Sequence, residues 1–186
     1  SEIDKVKKDL EKITRDVERA IKKSDDDSRK NSKEVLETNE RVLEELRRIV
    51  KEVLDEIRRV RKDKEVLKRL VEEVERVARE VEEITRRLVR HNEESVRTSE
   101  RILRELVKRD RDVVKEVSEI IERDVEDRDR ARDVDKKIKD LHKKSEDEVR
   151  KSVKRNRDLL EESKRHAEES REDIRRLLDE VREEAK

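Results

Sequence analysis

The side chains with the widest chemical reach in this chain are its three histidines, His91, His142 and His166. An imidazole can ligate zinc, carry a proton near neutral pH or sense acidification. Zinc requires converging ligands, and two histidines on one helical face lie three or four residues apart; no two of these do. Nucleophilic catalysis requires an activated hydroxyl or thiol. The sequence has no Cys, no Gly for a phosphate-cradling loop and no third group placed to orient a Ser–His pair. Glu162 with His166, and His142 with Glu146, share helix faces in the manner of ordinary surface pairs. These residues predict no catalytic group, no metal, no cofactor and no small-molecule ligand. For His166 one role remains: if it sits in a polar core, charging it below about pH 6 would strain that core.

The more telling residues are small and polar, and their spacing matters more than their reactivity. Apolar side chains recur every three or four positions at Val6, Leu10, Ile13, Val17 and Ile21, and again at Val42, Leu46, Ile49, Val53 and Ile57. Carried through the stretch between them, that phase lands on Ser24, Ser28, Asn31, Val35 and Thr38, with Asn39 beside it. The helical period persists while the inward chemistry changes from aliphatic to hydrogen-bonding. Two other stretches do the same. One contains Thr85, His91, Asn92, Ser95, Thr98 and Ser99; the other contains Ser145, Ser152, Asn156, Ser163, His166 and Ser170.

The elements that must position these residues are long helices. The 186 residues carry no Gly, Pro, Cys, Met, Phe, Tyr, Trp or Gln, and 59% are charged, with 55 basic against 55 acidic. Low hydrophobicity with high charge is also a mark of disorder, but disordered chains lack apolar periodicity and favour Pro, Gly, Ser and Gln. Val, Leu and Ile at helical spacing predict helix instead. The stripe is interrupted at Arg61-Lys62-Asp63 and again at Arg123-Asp124, where a basic residue suits a helix end and an acidic one the next start. Ser1, with Glu2 and Asp4 after it, suits the first helix start.

The fold expected is all-α: an up-down-up three-helix bundle over a single domain, 1–186, with helices of about 2–62, 64–123 and 125–186. Folding the chain back near 63 and 126 brings the three polar stretches to one height, a polar section at the centre of the bundle. Asn31, Ser95 and Asn156 are expected in one layer, with Ser28, Thr98, Ser99 and Ser152 beside it. Asn39, Thr85 and His166 are expected in another. The alternative is one continuous coiled-coil helix, because the phase runs almost unbroken through both turns. At 1.5 Å per residue it would be about 280 Å long, against about 90 Å for each helix of the bundle.

Composition also excludes classes of function. No apolar run approaches the roughly 18 residues of a membrane span, and no signal or transit peptide is visible. Zero net charge and the lack of aromatics argue against nucleic acid, which is drawn by positive charge and held by base stacking.

In style the chain resembles computationally designed helical bundles with buried hydrogen-bond networks. The carrying features are the restricted alphabet, filler such as EELRRIVKEVLDEIRRV at 44–60 and polar inserts such as HNEESVRTS at 91–99. Pairs such as Glu44–Arg48, Glu72–Arg76 and Glu83–Arg87 add surface charges at the spacing design favours. The resemblance implies a soluble scaffold with no native ligand or location, expressed in a recombinant cytoplasm. The absence of Gly at the turns departs from design practice. Two classes of role stay open. One is a structural scaffold whose polar layers set register or oligomer state. The other is a module associating with itself or with a designed helical partner through wide apolar faces. Those faces are marked by pairs such as Val42-Leu43, Ile49-Val50 and Val53-Leu54.

Overall fold

The computed structural model describes residues 2–186, with side chains from residue 4 onward. The cap expected of Ser1 lies outside the described residues, as does the side chain of Glu2. Three long helices pack as a bundle: α1, Glu2–Arg59; α2, Lys64–Asp124; and α3, Arg128–Glu184. Two chain reversals overturn the single continuous helix.

Both reversals form without glycine. Among the described residues no backbone φ is positive, so neither turn uses the left-handed conformation that glycine favours. At the first, the Asp63 N–H donates to the Val60 carbonyl (2.9 Å), and the Asp63 carboxylate accepts from the Val66 N–H (3.3 Å). At the second, Asp127 accepts from the N–H groups of Asp129 and Arg130 (3.1 and 3.2 Å). Each is an N-cap, a contribution of about 1 kcal/mol. The caps explain where the expected boundaries fail. α1 stops at Arg59 rather than 62, leaving Arg61 and Lys62 as the turn. α3 starts at Arg128 rather than 125, because Asp127 caps it while Asp124 ends α2. The Arg128 guanidinium also donates back to the carbonyls of Val125 and, at 3.1 Å, Glu122, satisfying the end of α2.

The chain divides into two compact units, Ser1–Arg29 with Glu94–Asp158, and Lys30–Glu93 with Leu159–Lys186. In the first, Leu10, Ile13 and Val114 pack together, as do Val6, Val117, Ile120, Ile121 and Ala131, and Val17, Leu103, Val107 and Val149. In the second, Leu43, Leu46, Val50, Leu54 and Ile57 of α1 meet Val74, Ala78 and Val81 of α2 and Ile174 and Val181 of α3. Full burial of such side chains stabilises by about 1.5–3 kcal/mol each. Val134 and Leu141, at helical spacing from Ala131 and Ile138, are exposed.

Candidate functional site in the buried polar layers

In the unit of residues 30–93 and 159–186, two polar layers each take one side chain from every helix. In the first, the Thr85 hydroxyl donates to Asn39 Oδ1 (2.5 Å), and Asn39 Nδ2 lies 3.4 Å from His166 Nδ1. With the Asn39 amide donating, Nδ1 must accept, which places the imidazole proton on Nε2. Asn39 is 1% exposed and Thr85 is buried, while His166 is half-buried. In the second layer, Asn92 Nδ2 donates to Ser32 Oγ (3.1 Å) and Ser163 Oγ (3.2 Å), and Ser163 passes a bond to the Leu160 carbonyl (2.8 Å). Asn92 Oδ1 is buried without a partner.

The other unit has its own polar contacts. Asn156 Nδ2 donates to Ser24 Oγ (2.7 Å), joining α3 to α1. One turn away, the Ser152 hydroxyl donates to Asp25 Oδ1 (2.7 Å), and Arg155 donates to the other oxygen of Asp25 (3.0 Å). Arg157 is paired with Glu100 of α2. Ser28 is buried with its hydroxyl unpartnered. Ser145 and Ser170, in the first and second units respectively, are buried too.

The expected layer of Asn31, Ser95 and Asn156 is not formed as drawn. Asn156 bonds Ser24 instead, and Asn31, Thr38, Ser95 and Ser99 are half-buried; His91 and Thr98 are exposed. The reason is helical phase. A step of three or four is allowed at each turn, and the inward sequence in α1 is Ser24, Ser28, Ser32, Val35, Asn39 and Leu43. Asn31, Thr38 and Val42 therefore fall about 100° round the helix from the buried face. In α2 the buried members are Asn92, Val96, Leu103 and Val107, which leaves His91, Thr98 and Ile102 outward.

The structure also joins His142 to Asp110, two residues that the fold-back sets near each other. Asp110 is 1% exposed, and His142 Nδ1 stands 2.7 Å from its Oδ2. His142 Nε2 lies 3.7 Å from Glu146, which Arg111 approaches at 3.4 Å. Asp110 Oδ1 has no partner. A signal for the burial of Asp110 existed: Leu103, Val107, Asp110, Val114 and Val117 keep a strict four-three spacing, so Asp110 occupies a core position. In the same unit, Asp135 accepts from the Ser118 hydroxyl and pairs with Lys139 at 2.8 Å. The hydrogen bond from Lys139, then that from Ser118, holds the Asp135 carboxyl below the usual carboxylate range against a smaller opposing effect of burial.

Among the described residues no three His, Cys, Asp or Glu side chains converge as metal ligands. A cleft of about 280 Å³ between α2 and α3 has Val89, Ala167 and Ile174 on its apolar side, with Thr85 and Ser170 beside them. Its rim mixes Arg86, Arg90, Lys164 and Arg171 with Glu82, Glu93 and Glu168, so no single charge is focused on a ligand. No described helix is long and apolar enough to cross a membrane.

No protein-family model matches the chain. No curated protein matches it either. Among solved structures, one described as a computationally designed three helix bundle is similar, at 20% sequence identity and a TM-score of 0.46, covering 99% of this chain and 93% of the other.

Proposed function

We propose that the chain is a structural scaffold of designed origin, in which buried polar layers set the register of three helices. The observation that carries this reading is the pair of layers Asn39–Thr85–His166 and Ser32–Asn92–Ser163, each drawing one side chain from every helix. Aliphatic layers stabilise by burial, but one Val or Leu layer meets another with little preference. A hydrogen-bonded layer is different: sliding one helix by a turn leaves buried donors and acceptors unmatched, at about 1–3 kcal/mol for each orphaned group. The polar layers thus act against wrong alignments more than they add to stability.

The restricted alphabet supports the designed origin, as do the dense i,i+3 and i,i+4 ion pairs along each helix. On this reading the chain has no substrate and performs no reaction. The test is a triple variant, Asn39→Leu, Asn92→Leu and Asn156→Leu, compared with the parent by circular dichroism and amide NMR. Retained helicity with multiplied or broadened amide signals is the expected result. A single sharp set of signals, with hydrogen exchange as slow as in the parent, would sink the register role.

A further inference from the structure

Within the unit of residues 30–93 and 159–186, one side of the bundle is edged differently from the other two. The ion pairs between helices that this unit shows, Arg47–Asp173, Arg58–Glu184, Arg182–Glu75 and Lys164–Glu93, all involve α3, as does Arg61–Glu184 from the turn. The α1/α3 and α2/α3 seams therefore have charged edges. The α1/α2 seam is edged by apolar side chains: Val42, Ile49 and Val53 on α1, and Val77, Ile84 and Leu88 on α2. Ile84 is 42% exposed and the others are half-buried. Each of the three α1 residues precedes a buried one (Leu43, Val50, Leu54), so they form a second apolar stripe beside the core stripe. Asn31 and Thr38 on α1 and His91 on α2 border the same seam, and their side chains make no hydrogen bond to another described residue. Apolar positions interrupted by Asn, Thr and His repeat the chemistry of the buried layers on an outer face.

We propose that this α1/α2 face is an association surface for a second copy of the chain, with α1 of one protomer lying against α2 of its partner. Three observations select a second copy. The outer rim of α1 carries Glu34, Glu45, Glu52 and Glu56 against Arg41 and Arg59, while that of α2 carries Arg69, Arg76 and Arg87 against Glu73 and Glu80. A two-fold axis running along the helices sets each glutamate-rich rim beside an arginine-rich one, whereas an axis across them sets like beside like. The same axis preserves height. Asn31 and His91 precede Ser32 and Asn92, which are bonded to each other, so Asn31 of one protomer comes level with the partner's His91. Finally, about 30 residues at 1.5 Å each, two helices wide, give a face of roughly 45 by 20 Å. That is about 900 Å² per protomer, near the ~800 Å² of a stable interface.

This inference deepens the scaffold reading, and the two fail separately: rim charges do not enter the buried layers, and the buried Asn variants leave the rims intact. The experiment is light scattering on the eluting peak at roughly 100 µM, where a micromolar Kd is saturated. The expected mass is twice 22.6 kDa. Ile84→Glu should weaken self-association at least tenfold with unchanged helicity, while Leu141→Glu, an equally exposed apolar site outside this face, should leave it unchanged. Glu45→Arg with Glu52→Arg should likewise weaken the homodimer, and mixing with an Arg76→Glu, Arg87→Glu chain should restore pairing between the two. A monomeric parent overturns the proposal, even if it captures an added amphipathic helix. A trimer, a dimer indifferent to Ile84→Glu, or charge-reversed chains that do not pair on mixing also overturn it.

Discussion

The two buried asparagines of one unit differ in a way that a pair of variants can read. Asn39 uses its carbonyl oxygen to accept from Thr85 and its amide to reach His166, so both ends are engaged. Asn92 donates twice, to Ser32 and Ser163, but its Oδ1 is buried and unpartnered. Replacing either by Leu removes two hydrogen bonds, each worth a net ~0.5–1.5 kcal/mol, and gains similar apolar burial. These contributions largely cancel in the comparison. What does not cancel is the desolvated oxygen, which Asn92→Leu removes and Asn39→Leu does not. That group costs about 1–3 kcal/mol, so Asn92→Leu should be the more stable variant by that amount. For a chain of this size the difference is about 2–4 °C in Tm per kcal/mol. Urea unfolding followed by circular dichroism measures it, with unchanged m-values as the check that both variants unfold from the same state. If Asn39→Leu proves equal to or more stable than Asn92→Leu, the assignment of a penalty to Asn92 Oδ1 is wrong.

Three further outcomes follow from the same physics. Ser28→Ala should raise the urea midpoint, by about 1 kcal/mol of stability, because its hydroxyl is buried without a partner. His142→Ala should cost about 1–3 kcal/mol in a thermal melt by leaving the buried Asp110 side chain without its hydrogen-bond partner, and Asp110→Leu with His142→Ala should recover most of it. Asp135 has a folded pKa below its ordinary 3.8, so its contribution is present above that value and fades as pH falls through the folded one. The Tm gap between parent and Asp135→Asn should accordingly be constant near neutral pH and close in strong acid. A gap that instead widens on acidification would refute the sign.

Much of this architecture was legible because helix formation is local. The three-four spacing of Val, Leu and Ile, unbroken by Gly or Pro, specifies long helices, and Asp63 marks a cap by its type and position. Asn39, Thr85 and His166 could be grouped because the fold-back pairs residues at equal distance from the turns. Rotational phase was less legible. At pairs such as Val42-Leu43 both residues are apolar, and spacing alone does not say which is buried; choosing the first of each pair also moved Asn31 into the core in place of Ser32. The fold-back sets Asp110 near His142, but its burial was not legible, for the opposite reason. A carboxylate surrounded by charged neighbours is indistinguishable in composition from a solvated one, and only its partner on α3, far along the chain, makes its burial tolerable. Asp127 escaped notice because Asp124 offers the same chemistry three residues earlier.

The reversals carry a consequence for the unfolded chain. Because neither needs a left-handed residue, neither contributes the extra backbone freedom that a glycine turn releases on unfolding. The two still differ in how much further they can be stiffened. Lys64 occupies the first helical position after the Asp63 cap, where proline's fixed φ fits and its missing N–H is one the helix does not use. Arg128 holds the matching position after Asp127, but its guanidinium is already spent on the carbonyls that end α2. Proline at 64 would therefore narrow the denatured ensemble without disturbing a contact, while proline at 128 would exchange a closed helix end for the same gain in stiffness.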